Sequence, residues 1–340
     1  MRLNPIVKKD VMVQSRSMKI CWGVFAYELI LASVFFLAML VIQGNSIYST
    51  YSTDNIYSYM VWLYPILGVT QLVILGLVVP IRTASSISGE RERQTFDIMM
   101  TTSMTPFSII MGKVMTAIVQ SMFYVVASMP IMALSFIIGG VSWGYLFWFL
   151  GVALLVSFFT ASIGILCSSL CRKTISAVIL SYIFYLGFFG GTFLPTILIG
   201  VSVSFSDYAA GAFQYTLLKN VFLLLLLNPA LYLVEFFTRV MMSESVVNEL
   251  ITELSDYTTD KTLVDYLGTG YWWLIVSTIM FILISLLFLW LASNRINPIK
   301  GRVRRMAVQA PPQMQQPMTQ VPPQMQQAPP MDGSAGAERR

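Results

Sequence analysis

Six stretches of the sequence, residues 20–42, 59–81, 109–138, 145–170, 175–203 and 270–293, are apolar over about the 20 residues that a helix needs to cross a bilayer core. Inside hydrocarbon every backbone N–H and C=O must be satisfied within its own segment, so a run of this kind folds as a spanning helix. The composition agrees. The chain is 56% hydrophobic and 11% charged, with a mean hydropathy of +0.72, whereas a soluble domain carries about 25% charged residues. The fold class expected is all-α: a polytopic membrane protein with six spans. The first run is too long for the core of a signal peptide, about 7–15 residues, and is expected to remain as a span.

The absence of histidine and the presence of three cysteines exclude a histidine base, a His/Cys zinc site and a disulfide framework. Cys167 and Cys171 are one helical turn apart, but two soft ligands make a poor metal site. They are read as small residues filling a helix contact, Cys21 lies like them near a cytoplasmic membrane end, and neither a metal site nor a catalytic residue is expected.

Basic residues set the sidedness, because cytoplasmic loops retain Lys and Arg. All but three of the 21 fall on one side of a six-span arrangement: before the first span, between spans two and three, between spans four and five, and in the tail. The exceptions are Lys219, Arg239 and Lys261. Both termini are therefore expected in the cytoplasm, with the chain in the plasma membrane. A seventh apolar stretch, Phe213 to Phe237, contains Lys219 and is interrupted by Asn228-Pro229. As a full span it would put the basic tail outside, so it is read as a re-entrant or interfacial hairpin broken at Pro229.

The external segment from Ser243 to Leu267 places Val247, Leu250, Ile251 and Leu254 on one face of an amphipathic helix. Its acidic residues, Asp265 included, are most simply a solvated face, with a cation-attracting vestibule as the sharper alternative. Residues 1–19 are expected to form an amphipathic cytoplasmic helix, 20–294 the spans, and 295–340 a basic, then Pro/Gln/Met-rich disordered tail. Within the spans, 87–105 forms a cytoplasmic segment and 204–268 the external and re-entrant region.

The densest charge cluster between the spans is ISGERERQTFDIMMTTSMTPFSIIMGK, Ile87 to Lys113. Phe96, Met99 and Met100 share one helical face, with Glu92, Arg93 and Asp97 on others, which suits a short helix at the membrane surface. Thr105-Pro106 reads as an N-cap followed by proline at the first helical position.

This segment resembles the signature between spans two and three of the type-2 ABC transporter permeases: an E-R-E-x-G-T-L-E-like run, a threonine-proline step and a glycine-lysine pair. The matching residues are Glu90, Arg91, Glu92, Thr95, Phe96 and Asp97, then Thr105-Pro106 and Gly112-Lys113; Arg93 lies within the run. Gln94 stands where the family commonly has glycine, and Asp97 where it has glutamate. Leu3 to Ser17 is similar to the family's amphipathic N-terminal helix at Asn4, Pro5, Lys9, Asp10 and Arg16.

The resemblance implies an exporter permease that pairs with a second permease, identical or related, and is driven by two copies of a cytoplasmic ABC ATPase. The helix from Glu90 to Asp97 would couple the two proteins. No cofactor is expected on this chain; ATP and Mg would sit on the ATPase, since no G-x-x-x-x-G-K-[ST] loop is present. Apart from these subunits and the lipid bilayer, no partner is implied, and no nucleic acid. Alternative readings are an ATP-independent secondary transporter and a non-transporting sensor or anchor. The former calls for paired ionisable groups at the midplane, and Glu28 is the one acid well inside a span.

Glu28 is a candidate pathway residue or an interhelix hydrogen-bond partner, and Gln71 and Gln120 read as interhelix partners. Ser157, Ala161, Gly164 and Ser168 of span four, and Gly187, Gly190 and Gly191 of span five, allow close helix approach. In the family span five contributes to the subunit interface, which makes Gly187–Gly191 the candidate for that contact.

Overall fold

The computed structural model describes residues 17–48, 60–96, 105–140, 142–204, 217–242, 244–255 and 263–296, together with Val7, Lys8 and Met12. Its main elements are α1 (Met18–Tyr48), α2 (Leu63–Glu92), α3 (Pro106–Ala127), α4 (Met129–Gly139), α5 (Gly144–Leu170) and α6 (Thr174–Ser204). A 3-10 turn (Phe222–Leu227), α7 (Pro229–Met242), α8 (Val246–Ser255), α9 (Leu263–Gly268) and α10 (Trp272–Ile296) follow. Six of these helices, α1, α2, α3, α5, α6 and α10, are long and apolar enough to cross a membrane. Asn4, Pro5, Lys9, Asp10, Arg16 and Asp97 lie outside the described residues, as do Met99, Met100 and the tail from residue 297.

Two boundaries differ from the hydropathy reading. Span two does not end near residue 81; α2 continues for three more turns through Arg82 to Glu92, with Pro80 inside it. Ile87 and Ser88 are fully buried on that extension, so it is held by protein contacts rather than by lipid. The third span, read as one helix over 109–138, is divided at Ser128 into α3 and α4. Pro130, which has no N–H for an intrahelical bond, stands two residues further on. Its start is as read: Thr105 is extended, its hydroxyl accepts from Ser108 N–H at 3.3 Å, and Pro106 opens the helix.

The centre of the bundle is α5 packed along α2. In the most apolar window of α5, 72% of residues are buried, against 11% in α1 and α6, so the latter two present open faces. The α2–α5 contact keeps one register from end to end. Tyr64 Oη donates to Tyr145 O at 3.2 Å, Gly68 lies against Phe149, Gly164 against Thr83, and Ser168 Oγ accepts from Ile87 N–H at 3.0 Å. Each pair is 81 residues apart in sequence, so the two helices run parallel. Close approach requires the small residue: a Cβ on Gly164 would lie 2.9 Å from Thr83 Cβ and 3.2 Å from Ala84 N. Ser157, Ala161 and Ser168 are buried on the same helix, so the small residues of span four serve packing within the chain.

Helices α3 and α6 run antiparallel to α2. Gly76 leaves room for the Tyr185 ring, and Tyr182 Oη donates to Leu77 O at 2.6 Å. On the other flank, Phe281 and Leu289 of α10 pack with Phe159 and Ile165 of α5.

The Phe213–Phe237 stretch is described from residue 217, and it is bent. Its two arms meet at 88°, so it is not one straight span. Asn228 makes the corner: Oδ1 accepts from Ala230 and Leu231 N–H at 2.8 and 3.2 Å, capping α7 with Pro229 at its first position. Its Nδ2 donates to Phe189 O and Thr192 Oγ1 at 2.9 and 2.6 Å, so the corner is fastened to α6.

The two described basic residues of this region, Lys219 and Arg239, are neutralised inside the fold. Lys219, 1% exposed, pairs with Asp265 of α9 at 2.7 Å, so Asp265 is not simply part of a solvated face. Arg239 pairs with the fully buried Glu235. The amphipathic helix read in this region is α8, with Val247 and Ile251 buried against Trp273 and Val264.

Candidate functional site at the charged end of the second span

The residues of the charge motif do not lie on one helix. Glu90, Arg91 and Glu92 form the last turn of α2, and the chain then turns at Arg93 and Gln94, which corrects the reading of Glu90 to Asp97 as a single helix. Thr95 N–H donates to Glu90 O at 3.0 Å and Gln94 N–H to Arg91 O at 3.1 Å, the pair of bonds that defines a Schellman terminus. Such an end needs a left-handed residue just past the cap, and Gln94 takes it with φ 58°. This explains why glycine suits the position: an L side chain there is disfavoured by roughly 1–2 kcal/mol. Gln94→Gly is expected to stabilise the protein by about 1 kcal/mol, read as a higher denaturation midpoint in detergent.

The three charged residues before the turn each reach a different helix. Glu90 Oε1 accepts from Lys113 Nζ of α3 at 2.5 Å, which joins the two halves of the sequence motif. Arg91 donates from Nη1 to Ser169 O at 2.9 Å and Cys171 O at 3.2 Å, satisfying carbonyls left over at the end of α5. Glu92 accepts from Thr174 at the first turn of α6, from N–H at 3.0 Å and from Oγ1 at 2.6 Å. A carboxylate there also meets the positive end of the α6 dipole. Consecutive residues of one turn thus hold α3, α5 and α6 to α2. Beside them, Ser168 Oγ accepts from Ser88 N–H at 2.9 Å, and the Phe96 ring lies 5.0 Å below the Arg91 guanidinium.

Other sequence candidates lie elsewhere. Glu28 is on α1, with Oε1 buried and unpartnered among the described residues. Gln120 accepts from Arg82 Nη1 at 3.5 Å, as an interhelix partner should, whereas buried Gln71 has no hydrogen-bond partner among the described residues. Gly187, Gly190 and Gly191 have open space where a Cβ would stand, and Gly187 and Gly191 line a shallow open groove with Ile183, Phe184, Phe188 and Thr192. Among the described residues no cluster of His, Cys, Asp and Glu could hold a metal ion.

The sequence motif named Glu90, Arg91, Glu92 and Lys113 but missed Ser169, Cys171 and Thr174, which contribute mostly backbone groups. A weak signal existed at Thr174, a hydroxyl residue at the start of an apolar helical run.

A model of the family described as ABC-2 family transporter protein matches residues 37–293, which contain the whole charged turn and all its partners. The chain belongs to the ABC-2 transporter family. No curated protein matches it. As a member of that family it is a membrane subunit of an ABC transporter, the permease rather than the ATPase.

Proposed function

We propose that this ABC-2 permease is one half of an exporter, paired with an identical or related permease and driven by two separate ATPase subunits bound at the charged end of α2. That end faces the cytoplasm in this reading, as the distribution of basic residues requires. The single observation carrying the coupling role is the turn Glu90-Arg91-Glu92, which ties α2 to α3, α5 and α6 immediately before residues 93–105. A displacement of that segment by a nucleotide-driven partner would reach four helices through one turn. Arg93, Thr95, Phe96 and Asp97 would meet the ATPase, while Glu90, Arg91 and Glu92 pass the motion inward.

Pairing is assigned to α6. Its glycine face is open, its exposed residues include Ile175, Ile179, Ile183 and Leu186, and small residues allow a second helix to approach closely. The test is affinity purification of the tagged chain from native membranes in mild detergent, with subunit stoichiometry and vanadate-sensitive Mg-ATPase activity read on the eluate. One ATPase per permease, with turnover, is expected. Recovery of the chain alone from several gentle detergents would contradict the reading.

A further inference from the structure

We propose that Arg82, with Gln120 and Tyr124, binds the anionic headgroup of a membrane phospholipid in the leaflet nearest the charged end of α2. Arg82 lies on a membrane-spanning helix, and among the described residues no carboxylate is in ion-pair contact with it. Its partners are neutral. Nη1 donates to Gln120 Oε1 at 3.5 Å, Nη2 donates to Tyr124 Oη, and the guanidinium carbon stands 5.0 Å from the Tyr124 ring centre. These contacts aim the group without neutralising it. A guanidinium has five N–H donors and a fork suited to phosphate oxygens, so capacity remains for an anion.

The surroundings suit a lipid. Arg82, Gln120, Tyr124 and Ser121 line a narrow cleft whose remaining walls are Leu75, Val78, Val79 and Ala117. Polar groups thus sit beside an apolar wall. Span one closes the third side at Gly23, where a Cβ would stand 2.8 Å from Tyr124 Oη and 3.7 Å from Arg82 Nη2.

Depth gives an independent argument. From Leu63, where α2 begins, to Arg82 is about 28 Å of helix, close to the roughly 30 Å of a hydrocarbon core. Gln120 meets Arg82 from α3 at the same level. Gly23 lies just inside the start of the apolar run that opens at Ile20. Spans one and two therefore place the guanidinium at a hydrocarbon boundary, the level of the phosphates.

The test uses the full chain in mild detergent, offered equal amounts of phosphatidylglycerol and phosphatidylcholine with the same acyl chains, with retained lipids counted by native mass spectrometry. The first phosphatidylglycerol bound is expected to be retained about fivefold over phosphatidylcholine, the preference one basic residue gives near an anionic lipid. Arg82→Gln should abolish that preference for the first lipid. Val78→Phe, which crowds the cleft and leaves Arg82 in place, should weaken it. Retention by Arg82→Gln equal to wild type would overturn the proposal. Should that variant not be recovered folded, unchanged retention by Val78→Phe would overturn it.

Discussion

Glu235→Ala is expected to destabilise the protein by about 3–5 kcal/mol, the loss usual when one partner of a buried ion pair is removed. Glu235 is fully buried, and its carboxylate collects three donors from separate places: the Arg239 guanidinium, Ser245 Oγ at 2.6 Å and Val247 N–H at 3.1 Å. The last two tie α7 to the start of α8. Arg239 in turn donates to Gly268 O at 3.2 Å and lies over the Tyr271 ring, reaching the start of α10. Removing the carboxylate therefore strands a buried cation and frees the first turn of α8 together. Arg239→Ala should lose a similar amount, and the double variant clearly less than the sum, because the second removal has no pair left to break. Thermal and denaturant unfolding of the purified variants measures this. A loss below about 1 kcal/mol for Glu235→Ala would show that the pair holds nothing together.

The spans were legible because hydrocarbon imposes both helix and length on an apolar run. Hydropathy reports the lipid rather than the helix, and there it failed: α2 continues past Pro80 because Ile87 and Ser88 bury against α5 and the charges beyond find partners. The Thr105-Pro106 start and the Asn228-Pro229 break were readable because capping chemistry is local. The bond from Asn228 to Thr192 was not, since nothing in either segment announces the other. Lys219, which made its stretch ambiguous, is accommodated by Asp265, 46 residues further along the chain.

At the candidate site the motif disclosed which residues matter but not what they do. A run of alternating charges reads as a solvated helix face, yet Arg91 and Glu92 are occupied by the end of α5 and the start of α6. Backbone carbonyls and N–H groups carry no residue type, so no sequence pattern could name Ser169, Cys171 or Thr174 as partners. The Gln94 position shows the reverse. There the family's glycine, met first as a mismatch, is accounted for by a single backbone angle.

The second large effect concerns coupling. Arg91→Ala combined with Glu92→Ala removes the charged turn's side-chain links to α5 and α6 and leaves the Glu90–Lys113 pair to α3 in place. Water can replace side chains at this helix end, so the variant should insert, fold and retain its partner ATPase. Motion of residues 93–105 would then reach α5 and α6 only through the packing along α2, without the direct links of the charged turn. Linkage between sites is typically worth 5–150-fold, and a loss of about tenfold is expected here. The measurement is vanadate-sensitive Mg-ATPase turnover of the purified complex in liposomes, wild type against double variant, at equal ATPase content. Stimulation over the isolated ATPase that falls about tenfold in the variant is the predicted result; wild-type turnover from a folded, fully assembled variant would contradict the role assigned to this turn.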